Sequence, residues 1–430
     1  MSAEQYEPQP DGEIFRPSFP DIDPAERPYT MLSYGLPFDK ACKKHVDGFL
    51  NAKRVYIMAS KGLSTSSNCV KRLEAALGKK HVGTWIGIPP HSPYDSLIPI
   101  LRAIRSLAVD CLITIGGGSL TDGAKLVVYA AENGVDAEGN GLEDLIALEK
   151  DFVAWSVDSL KMSRGNAPRI ATVFLPTTLS GGEYSKVAGC TNPRNHMKVQ
   201  FVHPGMFAKL LVLDPDLCRT TPDWVWRSTG VRAIDHCVEN ICSKTARPES
   251  DVACERGLRR LVRSLLLYAK DPDDLDARLE SQLGCNNAMT GLILMVLPGA
   301  SHGIGHNLGP LGVGHGQTSC ILLPAVMKYN AHVNGHKQEI VKSVLWSEPE
   351  ISAVLQKQGL QRETSDAGDA LRAIFDELGM PRSLKDVNVG RDKWDQLAVN
   401  SIPDPCTRNN PVSITKPEHV KAILEMCSGE

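Results

Sequence analysis

Positive charge is not in surplus in this chain of 430 residues: 47 Lys and Arg face 50 Asp and Glu, a formal net charge of −3. Without a basic excess the chain lacks the field that nucleic acid or an anionic membrane surface would require, so neither is an expected partner. Paired cysteines are lacking as well. The 12 cysteines are scattered singly between Cys42 and Cys427, and the nearest pair, Cys237 and Cys242, misses the CxxC spacing of a redox motif or zinc knuckle. They read as reduced thiols of a cytoplasmic protein. No stretch is apolar enough to span a bilayer. The N-terminus places acids and prolines where a signal peptide needs an apolar run, and the terminal SGE matches no address signal. Internal repeats and low-complexity tracts are absent from the fold. What remains is an ordinary globular composition, 42% hydrophobic and 23% charged, long enough for two domains.

Residues 1–30 hold six prolines and little periodicity, which predicts a surface or disordered tail. Short apolar runs then alternate with amphipathic ones: RVYIMAS, a helix-like stretch to Leu77, HVGTWIGI, LIPILRAIRSL, DCLITIGGG, a helix to Glu132, and RIATVFLP. Strands alternating with helices predict a parallel α/β sheet covered on both faces, spanning 31–213. From 214 to 430 the segments, among them SQLGCNNAMTGLILMVLP and those around Leu355 and Ile374, read as helices with few strand signals.

Two glycine-bearing turns stand out. In CLITIGGGSLTDGAK a buried-type strand runs into Gly116, Gly117 and Gly118, with Ser119 and Asp122 at capping-box spacing for a following helix. Bare backbone N–H groups at a helix N-terminus suit a pyrophosphate; the same residues serve equally as a tight turn that binds nothing. Thr121 stands in place of the third glycine of GxGxxG, and the GK[ST] ending of a P-loop is missing. ATVFLPTTLSGGEYS repeats the logic, with Thr177, Thr178, Ser180, Gly181 and Gly182 after a strand-like run. Two polar strand ends in one parallel sheet would converge on the crevice where such sheets bind ligands. A third segment, SHGIGHNLGPLGVGHG, carries His302, His306 and His315. If HGIGH is helical, His302 and His306 share a face about 6 Å apart along the axis.

GGGSLTDGAK (116–125) and PTTLSGGEYS (176–185) resemble the GGGSxxDxAK and PTTxSGSE motifs of the iron-containing (group III) alcohol dehydrogenases and maleylacetate reductases. STGVRAIDHCVE (228–239) and the histidine segment are similar to that superfamily's metal-site helix and histidine segment, most of all in its maleylacetate reductase-like branch. The likeness runs from about Tyr29 to Leu424. It implies the iron-type alcohol dehydrogenase fold, also that of dehydroquinate synthase: a dinucleotide-binding α/β domain, an all-helical domain, and hydride transfer in the cleft between them. By motif, Gly117, Gly118, Ser119 and Asp122 would line the pyrophosphate and nicotinamide side of NAD(H) or NADP(H). Thr177, Thr178 and Ser180 would contact the cofactor, Lys198 would match a lysine near the ribose, and His91 in PPHSP would also reach the cofactor. The position that selects the ribose aligns with Ile86, so no carboxylate excludes a 2′-phosphate.

The likeness further implies His236, His302 and His315 as ligands of iron or zinc, with His306 moving a proton near the substrate. Here the chain departs from the pattern. Metal-dependent members have an Asp four residues before the first ligand histidine; counting back from His236 gives Arg232. A guanidinium is no ligand and repels a divalent ion at short range. Asp235, adjacent to His236, points about 100° away on a helix and is at i, i+3 to Arg232. The histidine segment is also one residue short between His302 and His315. The other histidines, His45, His81, His196, His203, His332, His336 and His419, read as structural. The expected activity is reduction of a small, carboxylated or neutral carbonyl or enoate substrate, or the reverse alcohol oxidation, by a homodimer. His306, Arg232 and His236 would be catalytic, with Arg232 fixing a substrate carboxylate or polarising its oxygen; Arg232 serves equally as a packing residue paired with Asp235 or Glu239. A metal-dependent alcohol dehydrogenase, a lyase or cyclase using NAD transiently, and a nucleotide-binding protein with a decayed site are the rivals.

Overall fold

The computed structural model describes residues 6–150, 165–195 and 197–429; the expectation for His196 lies outside them. The chain divides into two compact units, Met1–Thr221 and Pro222–Glu430.

The first unit is built on a seven-stranded sheet. Its strands are β1 (Ile14–Pro17), β2 (Met31–Tyr34), β3 (Val55–Ala59), β4 (His81–Ile86), β5 (Cys111–Gly116), β6 (Ala171–Pro176) and β9 (Leu210–Leu213). They lie in the order β1-β2-β9-β6-β5-β3-β4, parallel throughout except for the antiparallel pair β1 and β2. The four apolar runs singled out in the sequence are β3, β4, β5 and β6. β3, β5 and almost all of β6 are buried along their length, as a sheet covered on both faces requires. Ile57, Ile113, Val173 and Leu210 line one face against Phe38, Leu63 and Leu73. A separate hairpin, β7 (Val187–Thr191) with β8 (Lys198–Val202), follows the second glycine turn.

Two boundaries differ from the sequence reading. The predicted tail is partly folded: β1 pairs with β2, and Glu13 is fully buried, accepting from Ser33 and lying 2.5 Å from His45 Nε2 and 2.7 Å from Lys44 Nζ. Four strand residues next to prolines give no readable alternation, so only the partners supplied by the sheet and by Lys44 and His45 reveal the element. At the other end the unit runs past Leu213 to Thr221. Asp214 accepts backbone N–H groups of Phe38, Asp216 and Leu217, and Thr221 donates to the Thr177 carbonyl, which ties this stretch to the sheet.

The second unit is helical; no strand occurs among its described residues. The Asp223–Ile241 helix is enclosed on nearly all sides by the Pro248–Lys270, Leu275–Ala288 and His315–Ser347 helices. A helix buried all round must satisfy its polar residues internally, and this one carries Arg232, Asp235 and Glu239 inside.

Candidate functional site

In the first unit, β5 ends at Gly116, whose φ of +151° and whose missing Cβ, which would sit 2.5 Å from Leu120 Cδ1, leave room only for glycine. The Gly118–Glu132 helix starts at once, with Gly117 as its N-cap and no side chain capping it. The capping box expected of Ser119 and Asp122 does not form, because both lie inside the helix, and the first N–H groups remain directed outward. The neighbouring strand end faces them. Gly116 and Pro176 are in register, Thr177 N–H donates to the Gly116 carbonyl at 3.2 Å, and Thr178 Oγ1 donates to Ser180 Oγ at 3.1 Å. A Cβ on Gly117 would lie 3.3 Å from Thr178 Cγ2.

The remaining expected residues close around this turn. His91 and Ser92 hold positive φ angles of 63° and 49°. Ser92 Oγ donates to the Ser119 carbonyl, and Thr191 Oγ1 donates to that of His91. Burial, then the charge of Lys198, lowers the His91 imidazole. Lys198 lies over Gly189, next to Asp122. Burial pushes the Asp122 carboxyl up, against Lys125 and Lys198. Lys125, three residues beyond Asp122 in the same motif, is wholly buried. Its Nζ donates to the carbonyls of Gly182 at 2.5 Å and Val187 at 2.9 Å, so it fastens the second turn beneath the first. Burial lowers it to about 8 and raises its neighbour Glu183 to about 7. Ile86 requires correction. It ends the edge strand β4, 45% exposed and separated from β5 by β3. The residue beside Gly116 is Ser60 at the end of β3, its Cβ 3.0 Å from where a Gly116 Cβ would be. Neither position carries an acid.

In the second unit the Asp223–Ile241 helix brings Arg232, Asp235, His236 and Glu239 against the Ala300–Leu308 helix, which confirms HGIGH as helical. Glu239 accepts the backbone N–H groups of Gly299, Ser301 and His302 and the His302 ring at Nδ1, 2.8 Å away. Burial and the adjacent Asp235 push its carboxyl up. With Nδ1 directed at Glu239, His302 turns Nε2 toward His236 Nε2, 3.4 Å away. Burial and Arg232 lower His236 to about 3 and His302 well below its ordinary value, so both rings are neutral. Arg232 is 1% exposed, 3.5 Å from Asp235 and 2.9 Å from Ser319 Oγ. Asp235 also accepts from the hydroxyls of Ser301 at 2.9 Å and Ser319 at 2.5 Å. Of the two substrate roles expected of Arg232, direct clamping of a carboxylate does not suit a guanidinium this enclosed and paired with Asp235. His236 keeps a buried Nδ1 with no hydrogen-bond partner among the described residues. Of the expected catalytic side chains, Arg232 is enclosed, whereas His236 is partly exposed and His306 is 32% exposed.

These residues do not fit a divalent ion. His315 is the first residue of the His315–Ser347 helix and is exposed. No set of His236, His302 and His315 with ligand atoms within 4.8 Å of one another occurs among the described residues. The three-histidine expectation is corrected accordingly: His315 lies outside the pair of His236 and His302. Asp235, Glu239 and His302 do approach within that distance, but both carboxylates are engaged by the donors just named, and Arg232 places a positive charge beside them. The sequence reading gives Glu239 only as a partner of Arg232 and does not anticipate Ser301, Ser319 or Asp404, the last lying 2.9 Å from His306 Nδ1. HCVE at 236–239 offered a trace of Glu239; nothing local marked Asp404.

Residues 38–215 match the family model for iron-containing alcohol dehydrogenase, and residues 227–427 match that for the C-terminal part of the Fe-containing alcohol dehydrogenase family. Dehydrogenase FUM7 of Gibberella moniliformis is 37% identical over 92% of this chain and 95% of its own length. Dehydrogenase ALT3 of Alternaria alternata is 36% identical over 78% and 89%. The maleylacetate reductase likeness is more distant: the enzyme of Sphingobium indicum is 24% identical over 78% and 80%. The crystal structure of sulfoacetaldehyde reductase from Bifidobacterium kashiwanohense in complex with NAD+ superposes with a TM-score of 0.76 over 92% of this chain and 96% of its own, at 19% identity, which shows a shared fold.

Proposed function

The chain belongs to the iron-containing alcohol dehydrogenase family and is an oxidoreductase, and from that premise we propose that it exchanges hydride between NAD(P)H and a small carbonyl, enoate or alcohol substrate without a divalent metal. When bound, the dinucleotide supplies or accepts the hydride. Gly117, Gly118 and the outward N–H groups of the Gly118–Glu132 helix fit its pyrophosphate. Ser119, Asp122, Thr177, Thr178, Ser180, Lys198 and His91 surround the same turn. In the second unit His306 gives a proton to the substrate oxygen on reduction and takes it back on oxidation. Arg232 provides a fixed positive charge in a dry environment, which stabilises negative charge developing on that oxygen.

The observation that carries this reading is Arg232: a buried guanidinium paired with Asp235 stands where a metal site needs a carboxylate. One measurement favours the metal-dependent alternative. The 3.4 Å between the two Nε2 atoms is close to the roughly 3.3 Å that two imidazoles at about 2.0 Å from a tetrahedral ion would show. Metal analysis of chelator-free protein, together with NADH and NADPH fluorescence on mixing, decides between them. Cofactor binding with no bound metal is the expected result; stoichiometric iron or zinc overturns it and directs the substrate search to simple alcohols.

A further inference from the structure

His306 and Asp404 lie 98 positions apart in the chain, yet the imidazole Nδ1 and the carboxylate Oδ2 are 2.9 Å from one another. The approach depends on glycine. A Cβ on Gly303, one turn before His306, would lie 2.1 Å from Thr407 Oγ1, 2.5 Å from Thr407 N and 3.0 Å from Asp404 Oδ1. Any side chain there would push the Ala300–Leu308 helix off the Asp404–Thr407 segment. The carboxylate is held at both oxygens. Oδ1 accepts the backbone N–H of Cys406 at 2.8 Å, as N-cap of the Pro405–Asn409 helix, which leaves Oδ2 for the ring.

We propose that Asp404 is the positioning residue of His306: it fixes the ring with Nδ1 protonated, so that Nε2 is the atom that gives and takes the proton. This rests on the reading of His306 as the proton-transfer group. The inner end of the pair is shielded, with the Asp404 side chain 14% exposed, while His306 is 32% exposed. A base thus has one nitrogen committed and the other available. Burial pushes the Asp404 carboxyl up, but His306 and the backbone N–H groups outweigh it and hold it below its ordinary value. The adjacent Cys406 thiol is pushed up by burial and stays neutral, so it does not compete for the role. Asp404 acts through His306; the ring is the group that meets substrate.

Asp404→Asn separates this role from helix capping, because Asn caps a helix as well as Asp does, while its amide N–H can donate to Nδ1 and reverse the tautomer. Protein labelled with ¹⁵N-histidine, with the His306 signals assigned by their loss in His306→Gln, reports the tautomer without turnover. The expected result is a protonated Nδ1 in the wild type and a protonated Nε2 in Asp404→Asn, at a nearly unchanged melting temperature. A His306 tautomer that does not respond to the replacement overturns the proposal. In turnover of propanal with NADPH, Asp404→Asn should lower kcat by about 100-fold at unchanged KM for NADPH. The same change in a His306→Gln background should alter kcat less than about twofold. If His306→Gln itself turns over at the wild-type rate, the proton-transfer reading falls, while the tautomer measurement still decides the Asp404 contact.

Discussion

Arg232 is the residue on which the chemistry of the second unit turns. Replacing it with Met would leave Asp235 buried with two serine hydroxyls and no cation, a loss of about 3–5 kcal/mol by the usual cost of breaking a buried pair, measurable as a lower urea midpoint. Arg232→Asp asks the converse question. It removes the repulsion and restores a carboxylate one helical turn before His236, so we expect the variant to retain zinc through gel filtration where the wild type does not. Failure of both proteins to differ in metal content would show that Arg232 is not what excludes the ion. His236 makes a separate prediction about acid stability. Its folded-state value of about 3 lies below the ordinary 6.5, so between those pH values the unfolded chain binds the extra proton, and stability falls as pH falls. The slope for one fully titrating group is about 1.4 kcal/mol per pH unit. His236→Gln removes that share, and its urea midpoint should drop less than the wild type's between pH 7 and pH 5.

At the scale of elements, close approach is what the glycines of the histidine segment provide. Gly303 admits the Asp404–Thr407 segment, and a Cβ on Gly305 would sit 2.9 Å from Thr318 Oγ1 and 3.5 Å from Arg232 Nη1. Gly303→Ala should therefore cost about 1–3 kcal/mol, whereas Gly62→Ala, in an exposed helical turn with nothing within 4 Å, should be neutral or stabilising by up to about 1 kcal/mol. Thermal melts of the two variants make the comparison. Strand order makes the other prediction. With β3 between β5 and β4, Ser60 occupies the strand end next to the glycine turn, where an acid would bind the ribose hydroxyls and repel a 2′-phosphate. Ser60→Asp keeps the N-cap that Ser60 provides to Leu63 N–H and should shift the ratio of NADPH to NADH affinity toward NADH by about tenfold or more. An unchanged ratio would mean that the ribose lies elsewhere.

At the scale of the whole molecule, the segment before Tyr29 belongs to the first unit's architecture. β1 covers the free edge of β2, Phe15 stacks on His45 with ring centroids 4.4 Å apart, and Glu13 is the buried partner of Lys44 and His45. Removing the chain through Pro17 should lower stability by about 2 kcal/mol or more, from lost apolar burial and from Lys44 and His45 left without their carboxylate partner. It should leave dinucleotide binding intact, since none of the residues around Gly117 lies in that segment. All 12 cysteines are buried free thiols, in keeping with their scattered spacing, and no helix among the described residues is long and apolar enough to cross a membrane.

The division into a sheet-bearing and a helical unit, the strands β3 to β6, both glycine turns and the helical HGIGH were legible in the amino-acid sequence. Each rests on contacts within a few positions: alternation, a strand running into a helix, a repeat of four on one face. What the sequence could not show depends on residues brought together from far along the chain. Whether Arg232 clamps a substrate or lies enclosed by Asp235 and Ser319, whether His315 joins His236 and His302, which strand end adjoins Gly116, and that Asp404 meets His306 were all decided by packing. Pairwise contacts between residues many tens of positions apart leave no periodic trace in a single sequence, because the chain between them is free to vary until the tertiary fold fixes where its ends meet.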